Sequence, residues 1–446
     1  MLPMKKSLLS YWNTNTKNIS ISLSLTMFVT SSMVFSSPSH AEAEKARNAN
    51  SFIDSIGVVA HLNYTDTSYI QYNNIVKPRL KELGVRHIRT FVSPKDLKTQ
   101  SKLKELATLG IKSNLVMDPE KLSLAEAVNL VKNLGKSVVE SVEGPNEWNA
   151  KINLKNEYKG KNFPEGLENY QNDFYSVIKS NSATAHLPVL APSIAAGNKL
   201  TVSIEQLGKV NCDINNMHSY PGGKMPSTKS LEFTFIPHTK KTCGENKPLI
   251  ASETGYHTTI NDPNGVSEKA AGKYTPRLLL EYFNRGIERT YVYELMNKRH
   301  DSSSSVRKFN WGLLRADGSP KKEFIATRNL IDILEEPNEQ TSKDFALKSL
   351  DYTLKGNTEN INHTLLQKKD GRFYLILWQE VPSYDLKTKT NINVPYRNLK
   401  LVLNTKISKA AIYKPNMKNT AVKTHTNPEE ISIGVPDYLL MVELTP

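Results

Sequence analysis

Two glutamates in this sequence stand where a charged side chain is hard to explain by packing alone. Glu147 lies in SVEGPNEWN, residues 141–149, between an asparagine and a tryptophan and just after a glycine and a proline. The alternation in SVVESVEG before it reads as a strand, so Glu147 falls at that strand's exit, on the first residues of a loop, where chemistry is usually carried. Glu253 lies in PLIASETG, at the end of a run apolar enough that an unpaired acid would be costly. A pair of carboxylates suits general acid catalysis by one and nucleophilic attack by the other, provided that the fold brings them together.

From residue 55 the chain repeats one pattern, a short apolar run and then a stretch with helical periodicity. The runs are 55–62, 85–92, 111–118, 137–144, 187–194, 212–220, 247–255 and 289–297, and helix-like segments such as SLAEAVNLVKNLG and TPRLLLEYFNRG lie between them. Eight strand-then-helix units in about 280 residues predict a (β/α)8 TIM barrel of α/β class. An open doubly wound sheet is the competitor, but no glycine-rich phosphate loop follows the first run. In a barrel, Glu147 ends the fourth strand and Glu253 the seventh. Those strands lie across the mouth from one another, so both acids can face one substrate, an arrangement suited to hydrolysing a glycosidic bond.

After about residue 337 the runs become short and alternating or apolar, without helical stretches, and read as a small antiparallel β-sandwich. EEPNEQTSKD, residues 335–344, is the expected seam. The predicted organisation is therefore a signal peptide over 1–41, a catalytic barrel over 50–336 and a β-sandwich over 337–446.

The first 41 residues carry Lys5, Lys6 and Lys17, then a Ser-interleaved apolar run, then SSPSHA. This matches a secretory signal cleaved after Ala41, giving a secreted or periplasmic protein with no stable membrane span; an uncleaved anchor is the alternative. Cleavage lowers the formal net charge from +14 to +11, because it removes three lysines and no acid. The lysines are scattered, without the clusters that nucleic-acid binding needs, so the basic surface is either simply solvated or suited to an acidic glycan. Cys212 and Cys243 are the two cysteines. In an exported protein they form one disulfide, or else they are two buried thiols.

Reading the strand ends gives His61, Arg89, Asp118, Asn146 with Glu147, Ser193, His218 with Tyr220, Glu253, and Glu294 with Asn297. Here the sequence resembles clan A of the glycoside hydrolases, whose pattern has Asn-Glu after strand four, matched by EGPNEWN, and a glutamate ending strand seven, matched by SETG. The resemblance spans about residues 50–335, and the trailing sandwich, found in several families of the clan, extends it.

It implies a retaining β-glycosidase acting on a poly- or oligosaccharide, with Glu147 as acid/base and Glu253 as nucleophile. Asn146 would donate to the sugar 2-hydroxyl, Arg89 would keep Glu253 ionised, and Tyr220 would orient Glu253 with His218 nearby. Arg89 as a mere ion-pair partner, and His61 and His218 as core histidines, remain the alternatives. Trp148 is expected beside the acid, raising its pKa with Pro145 and contacting sugar, and Glu294 is expected to contact substrate farther along the cleft. Tyr64, Tyr256 and Trp311 are further aromatic platforms. The clan's frequent tryptophan at the end of strand eight is missing from YVYELMN. No cofactor or metal is expected, since the histidines are not spaced as ligands, and the protein is expected to be a monomer. A non-catalytic carbohydrate-binding or cell-surface protein on the same scaffold is the rival reading.

Overall fold

The computed structural model describes residues 43–195, 200–336 and 345–446. The leader expected over 1–41 and most of the expected seam, 337–344, lie outside these residues. All eight barrel strands form where the apolar runs place them: β1 Ile56–Val59, β2 His87–Phe91, β3 Lys112–Val116, β4 Val139–Glu143, β5 Val189–Leu190, β6 Asn215–His218, β7 Leu249–Thr254 and β8 Arg289–Val292. They are parallel, in sequential order, with β8 beside β1. The ring closes between β5 and β6 through the single bridge Leu190–Ile214. Both faces of β1 and β7 are buried, which is why these strands read as continuous apolar runs and not as alternation.

The helices start and stop on local signals. Helix Leu124–Leu134 opens with a capping box between Ser123 and Glu126, buries Ala127, Val128, Leu130, Val131 and Leu134 on one face, and ends at Gly135. Helix Glu268–Asn284 is buried nearly all round, from Ala270 to Phe283, because barrel and sandwich cover opposite sides of it. Cys212, just before β6, is bridged to Cys243, which ends the helix Ile236–Cys243 ahead of β7. Closing that 31-residue separation stabilises the fold by roughly 4 kcal/mol on the loop-entropy model.

The C-terminal region packs a three-stranded antiparallel sheet on a six-stranded one. In the strand Phe373–Gln379 the period of two is easily followed. Phe373, Leu375 and Leu377 point into the sandwich core, while Tyr374, Ile376 and Trp378 join the barrel's cluster. The residues just before the barrel, which the sequence assigned to no domain, form two short strands. Arg47–Asn48 runs parallel to Ile361–Gln367 on the edge of the larger sheet, and Glu44–Lys45 pairs with Ser349–Leu350. The chain thus contributes strands to the sandwich region before it starts the barrel at β1. Among the described residues no helix is long and apolar enough to cross a membrane.

Candidate active site

The carboxylates meet at the C-terminal mouth of the barrel. Glu147 leaves β4 through a turn in which it takes a positive φ of 51°. That conformation is unfavourable for a non-glycine residue and is held by Glu147 N donating to Ser193 O at 3.0 Å and by Asn153 Nδ2 donating to Glu147 O at 3.1 Å. Glu253 is the fifth residue of β7 and is 9 % exposed. One oxygen of Glu147, one oxygen of Glu253 and a ring nitrogen of His218 lie within 4.8 Å of one another.

Arg89, on β2, is fully buried and carries the network beneath them. Its Nε and one terminal nitrogen donate to the two oxygens of Glu143 at 2.8 and 2.7 Å. The same terminal nitrogen donates to Asn146 Oδ1 at 2.7 Å, and the other donates to Glu253 Oε1 at 2.6 Å. Tyr220 Oη donates to Glu253 Oε2 at 2.7 Å. Burial by itself would push the Glu253 carboxyl up. His218, Arg89 and the Tyr220 hydroxyl outweigh it and hold the group down at about 2, so it is ionised at neutral pH.

His218, also fully buried, has its protonation pattern set by its neighbours. Ser252 Oγ donates to the Glu143 carboxylate at 3.2 Å, so it accepts from His218 Nε2 at 3.0 Å, and Nε2 carries a hydrogen. On the other side of the ring, Nδ1 is 2.7 Å from Glu147 Oε1. A proton on that line makes either a carboxylic acid facing a neutral imidazole or a carboxylate facing an imidazolium. Burial lowers the His218 pKa, but Glu253 and Glu147 together raise it above the ordinary value.

The residues singled out by sequence divide into two groups. Arg89, Asn146, His218 and Tyr220 converge on Glu147 and Glu253. Asn146 Oδ1 accepts from Arg89 at 2.7 Å and from Ser193 Oγ at 3.4 Å. Arg89, paired with Glu253 at 2.6 Å, and His218 are both fully buried behind the carboxylates and are not exposed in the cleft. Two expectations, of Trp148 and Glu294 as substrate contacts, need correction. Trp148 is fully buried in a cluster with Leu167, Ala191, Ile194 and Leu200, and so cannot serve as a platform in the cleft. Glu294 is also fully buried, against the Tyr69 hydroxyl at 3.2 Å and His61 Nε2 at 3.1 Å, and contacts no open part of the cleft.

The sequence reading missed Glu143, Asn114 and Ser252, which complete the network under the acids. Glu143 had a signal: a buried arginine on one barrel strand requires a buried carboxylate on a neighbour. Tyr293 was also missed. It directly follows β8 and lines the cleft with Trp311, their rings 5.8 Å apart, and Trp311 packs edge-on against Tyr220 at 4.9 Å. Tyr256 lines the same cleft, whereas Tyr64 stacks on His61 at 4.4 Å.

The cleft has a volume of about 640 Å³, and Glu147 and Glu253 are the acids lining it. Lys224, Arg307 and Lys308 also line it. Glu147, His218 and Glu253 offer donor types that suit a divalent cation, but all three are engaged with one another, and the Arg89 guanidinium already neutralises Glu253.

No protein-family model matches the chain, and no curated protein matches it by sequence. Solved structures do match. A family 39 glycoside hydrolase from the gut symbiont Bacteroides cellulosilyticus aligns over 90% of this chain and 82% of its own, with TM-score 0.59 and 13% identity. A family 39 β-xylosidase from Caulobacter crescentus aligns over 91% of this chain and 98% of its own, with TM-score 0.58 and 13% identity. A family 51 α-L-arabinofuranosidase from Bifidobacterium longum aligns over 91% and 98%, with TM-score 0.54 and 11% identity. At such identities the likeness establishes a shared fold of barrel with appended sandwich.

Proposed function

We propose that this chain is an exported retaining β-glycosidase of clan A that hydrolyses O-glycosidic bonds in a poly- or oligosaccharide. The observation that carries the reading is that one oxygen of Glu147 and one of Glu253 lie within 4.8 Å of each other, an approach that favours the shorter of two carboxyl spacings. Retaining enzymes hold their carboxyl groups about 5 to 5.5 Å apart, whereas inverting enzymes need about 6.5 to 9.5 Å to admit a water. The asymmetry of the pair supports the division of labour. Glu253, kept ionised by Arg89, Tyr220 and His218, attacks the anomeric carbon. Glu147 protonates the departing glycosidic oxygen, and the proton it shares with His218 is the one delivered. A glycosyl-enzyme ester on Glu253 results. Water, deprotonated by Glu147, then attacks the same carbon, releases the sugar and restores both carboxyl groups.

Convergence of Arg89, Asn146 and Tyr220 on the acids weighs against a purely binding module, which has no use for a carboxylate held ionised beside a second one. Export is supported by the leader-like first 41 residues and by the disulfide. The proposed unit is the monomer, since one chain supplies the whole network. Lys224, Arg307 and Lys308 on the cleft wall favour a substrate with acidic sugars. Binding of such a glycan weakens as salt rises, and affinity indifferent to ionic strength removes that refinement.

The test is Glu253→Gln. This isosteric change leaves the fold intact and abolishes turnover of every glycoside that the wild type cleaves. Near-normal hydrolysis by the variant overturns the assignment.

A further inference from the structure

The cleft wall after β6 is irregular chain. Gly222, Gly223, Lys224 and Thr228 line it, and this stretch is held from two sides, by the barrel's loop after β7, where Tyr256 Oη donates to Lys224 O at 3.0 Å, and by the C-terminal region. Ser227, between them, turns away from the cleft: its backbone N–H and its hydroxyl both donate to Glu380 Oε1, at 3.0 and 2.8 Å. Glu380 directly follows the sandwich strand Phe373–Gln379. Its other oxygen, Oε2, accepts from Arg277 at 2.9 and 2.7 Å and from Trp378 Nε1 at 3.0 Å. One buried carboxylate thus holds a helix of the barrel with one oxygen and the cleft wall with the other.

Neighbouring contacts repeat the pattern. Leu386, in the hairpin Tyr384–Asp385 and Thr390–Asn391 of the C-terminal region, and Asn264 of the loop after β7 both lie so close to Gly223 that a Cβ there would come within 2.7 Å and 2.6 Å of them, and Gly223 already needs a positive φ of 76°. Lys389 Nζ donates to Asp262 O at 2.7 Å, and Ser267 Oγ bonds Asn391 Oδ1 at 2.6 Å, which fixes the next stretch of loop after β7. A buried ion pair is a poor way to gain stability, since packed apolar side chains would serve as well or better. It is a good way to fix one geometry. Glu380 does not line the cleft that Glu147 and Glu253 share, and the hydrolytic steps do not use it.

We propose that Glu380 is a positioning residue through which the sandwich sets the shape of the cleft wall, so that sugar rings beyond the scissile bond are bound by a surface the barrel does not hold alone. The kinetic part of this inference rests on the glycosidase reading, and the structural part does not.

Amide hydrogen exchange of the full chain, followed by mass spectrometry, separates the two. In Ser227→Ala the peptides covering 221–230 exchange about fivefold faster, the change expected from losing one hydrogen bond of ordinary net strength. In Ser227→Thr, which keeps the hydroxyl, they exchange as in the wild type. Peptides covering β4 and β7 are unchanged in both. On substrates that the wild type cleaves, Ser227→Ala leaves kcat for a simple aryl β-glycoside within about twofold, while KM for a longer oligosaccharide rises about fivefold. Exchange in 221–230 that is unaltered by Ser227→Ala, or faster by the same factor across the whole barrel, overturns the proposal. So does an equal rise in KM for both substrates. If the wild type cleaves no glycoside, the glycosidase reading fails and the exchange result still decides the role of Glu380.

Discussion

Replacing Arg89 with methionine removes the cation that joins three carboxyl and amide groups under the site. Arg89 makes two hydrogen bonds to Glu143, one to Glu253 and one to Asn146, all at 2.6–2.8 Å. Glu143 is fully buried and would keep only Asn114 and Ser252 as partners. Stranding one member of a buried pair costs about 3–5 kcal/mol, a large share of an ordinary protein's stability. Glu253 loses one charge-assisted bond, worth about 1.5–3 kcal/mol, which corresponds to roughly 10- to 150-fold in rate if the bond is needed in the transition state.

The second variant, Arg89→Met with Glu143→Gln, decides whether Arg89 serves Glu253 or only Glu143. A neutral amide in place of the stranded carboxylate recovers about 2 kcal/mol in urea unfolding, while kcat/KM stays low because Glu253 still lacks its partner. Recovery of both stability and rate in the double variant would refute the role assigned to Arg89. A single variant within about 1 kcal/mol of the wild type would refute the cost assigned to the buried network.

Tyr220→Phe deletes only the hydroxyl that donates to Glu253 Oε2, so kcat for an aryl β-glycoside should fall roughly 10-fold with little change in melting temperature. Stability should peak in mildly acidic solution. Glu253, held down at about 2, contributes stability above the ordinary carboxylate pKa and loses it as pH falls through about 2. His218, whose pKa is raised, contributes fully below the ordinary imidazole pKa and loses its part as pH climbs through the raised value. In thermal melts from pH 2 to 9, Glu253→Gln should show a smaller loss on the acid side than the wild type.

Much of the barrel was legible because a parallel strand buried on both faces must be written as an apolar run, and each run is followed by its own helix. Glu253 stood out for the same reason, as an acid ending the run PLIAS. What escaped depended on contacts that leave no local pattern. Arg47–Asn48 joins the sandwich through backbone pairing to Leu366 and Gln367, which any two residues could provide. Trp148 looked like a sugar platform because sequence adjacency to Glu147 suggests a shared face, yet it is fully buried in a separate apolar cluster. Glu143 read as the tail of a strand, and nothing local marks Glu380, whose partner Ser227 lies 153 positions away. Periodicity reports which face a residue occupies. It says nothing about which distant chain covers that face.

The most direct measurement is covalent trapping. The wild type would be incubated with a panel of 2,4-dinitrophenyl 2-deoxy-2-fluoro-β-glycosides, whose fluorine slows both steps and whose leaving group restores the first, and its peptides would then be weighed. Expected is one fluorosugar esterified to the peptide containing Glu253, and none in Glu253→Gln. A label on another carboxylate, or hydrolysis of the parent glycosides with inversion at the anomeric carbon and no label, would contradict the proposed mechanism.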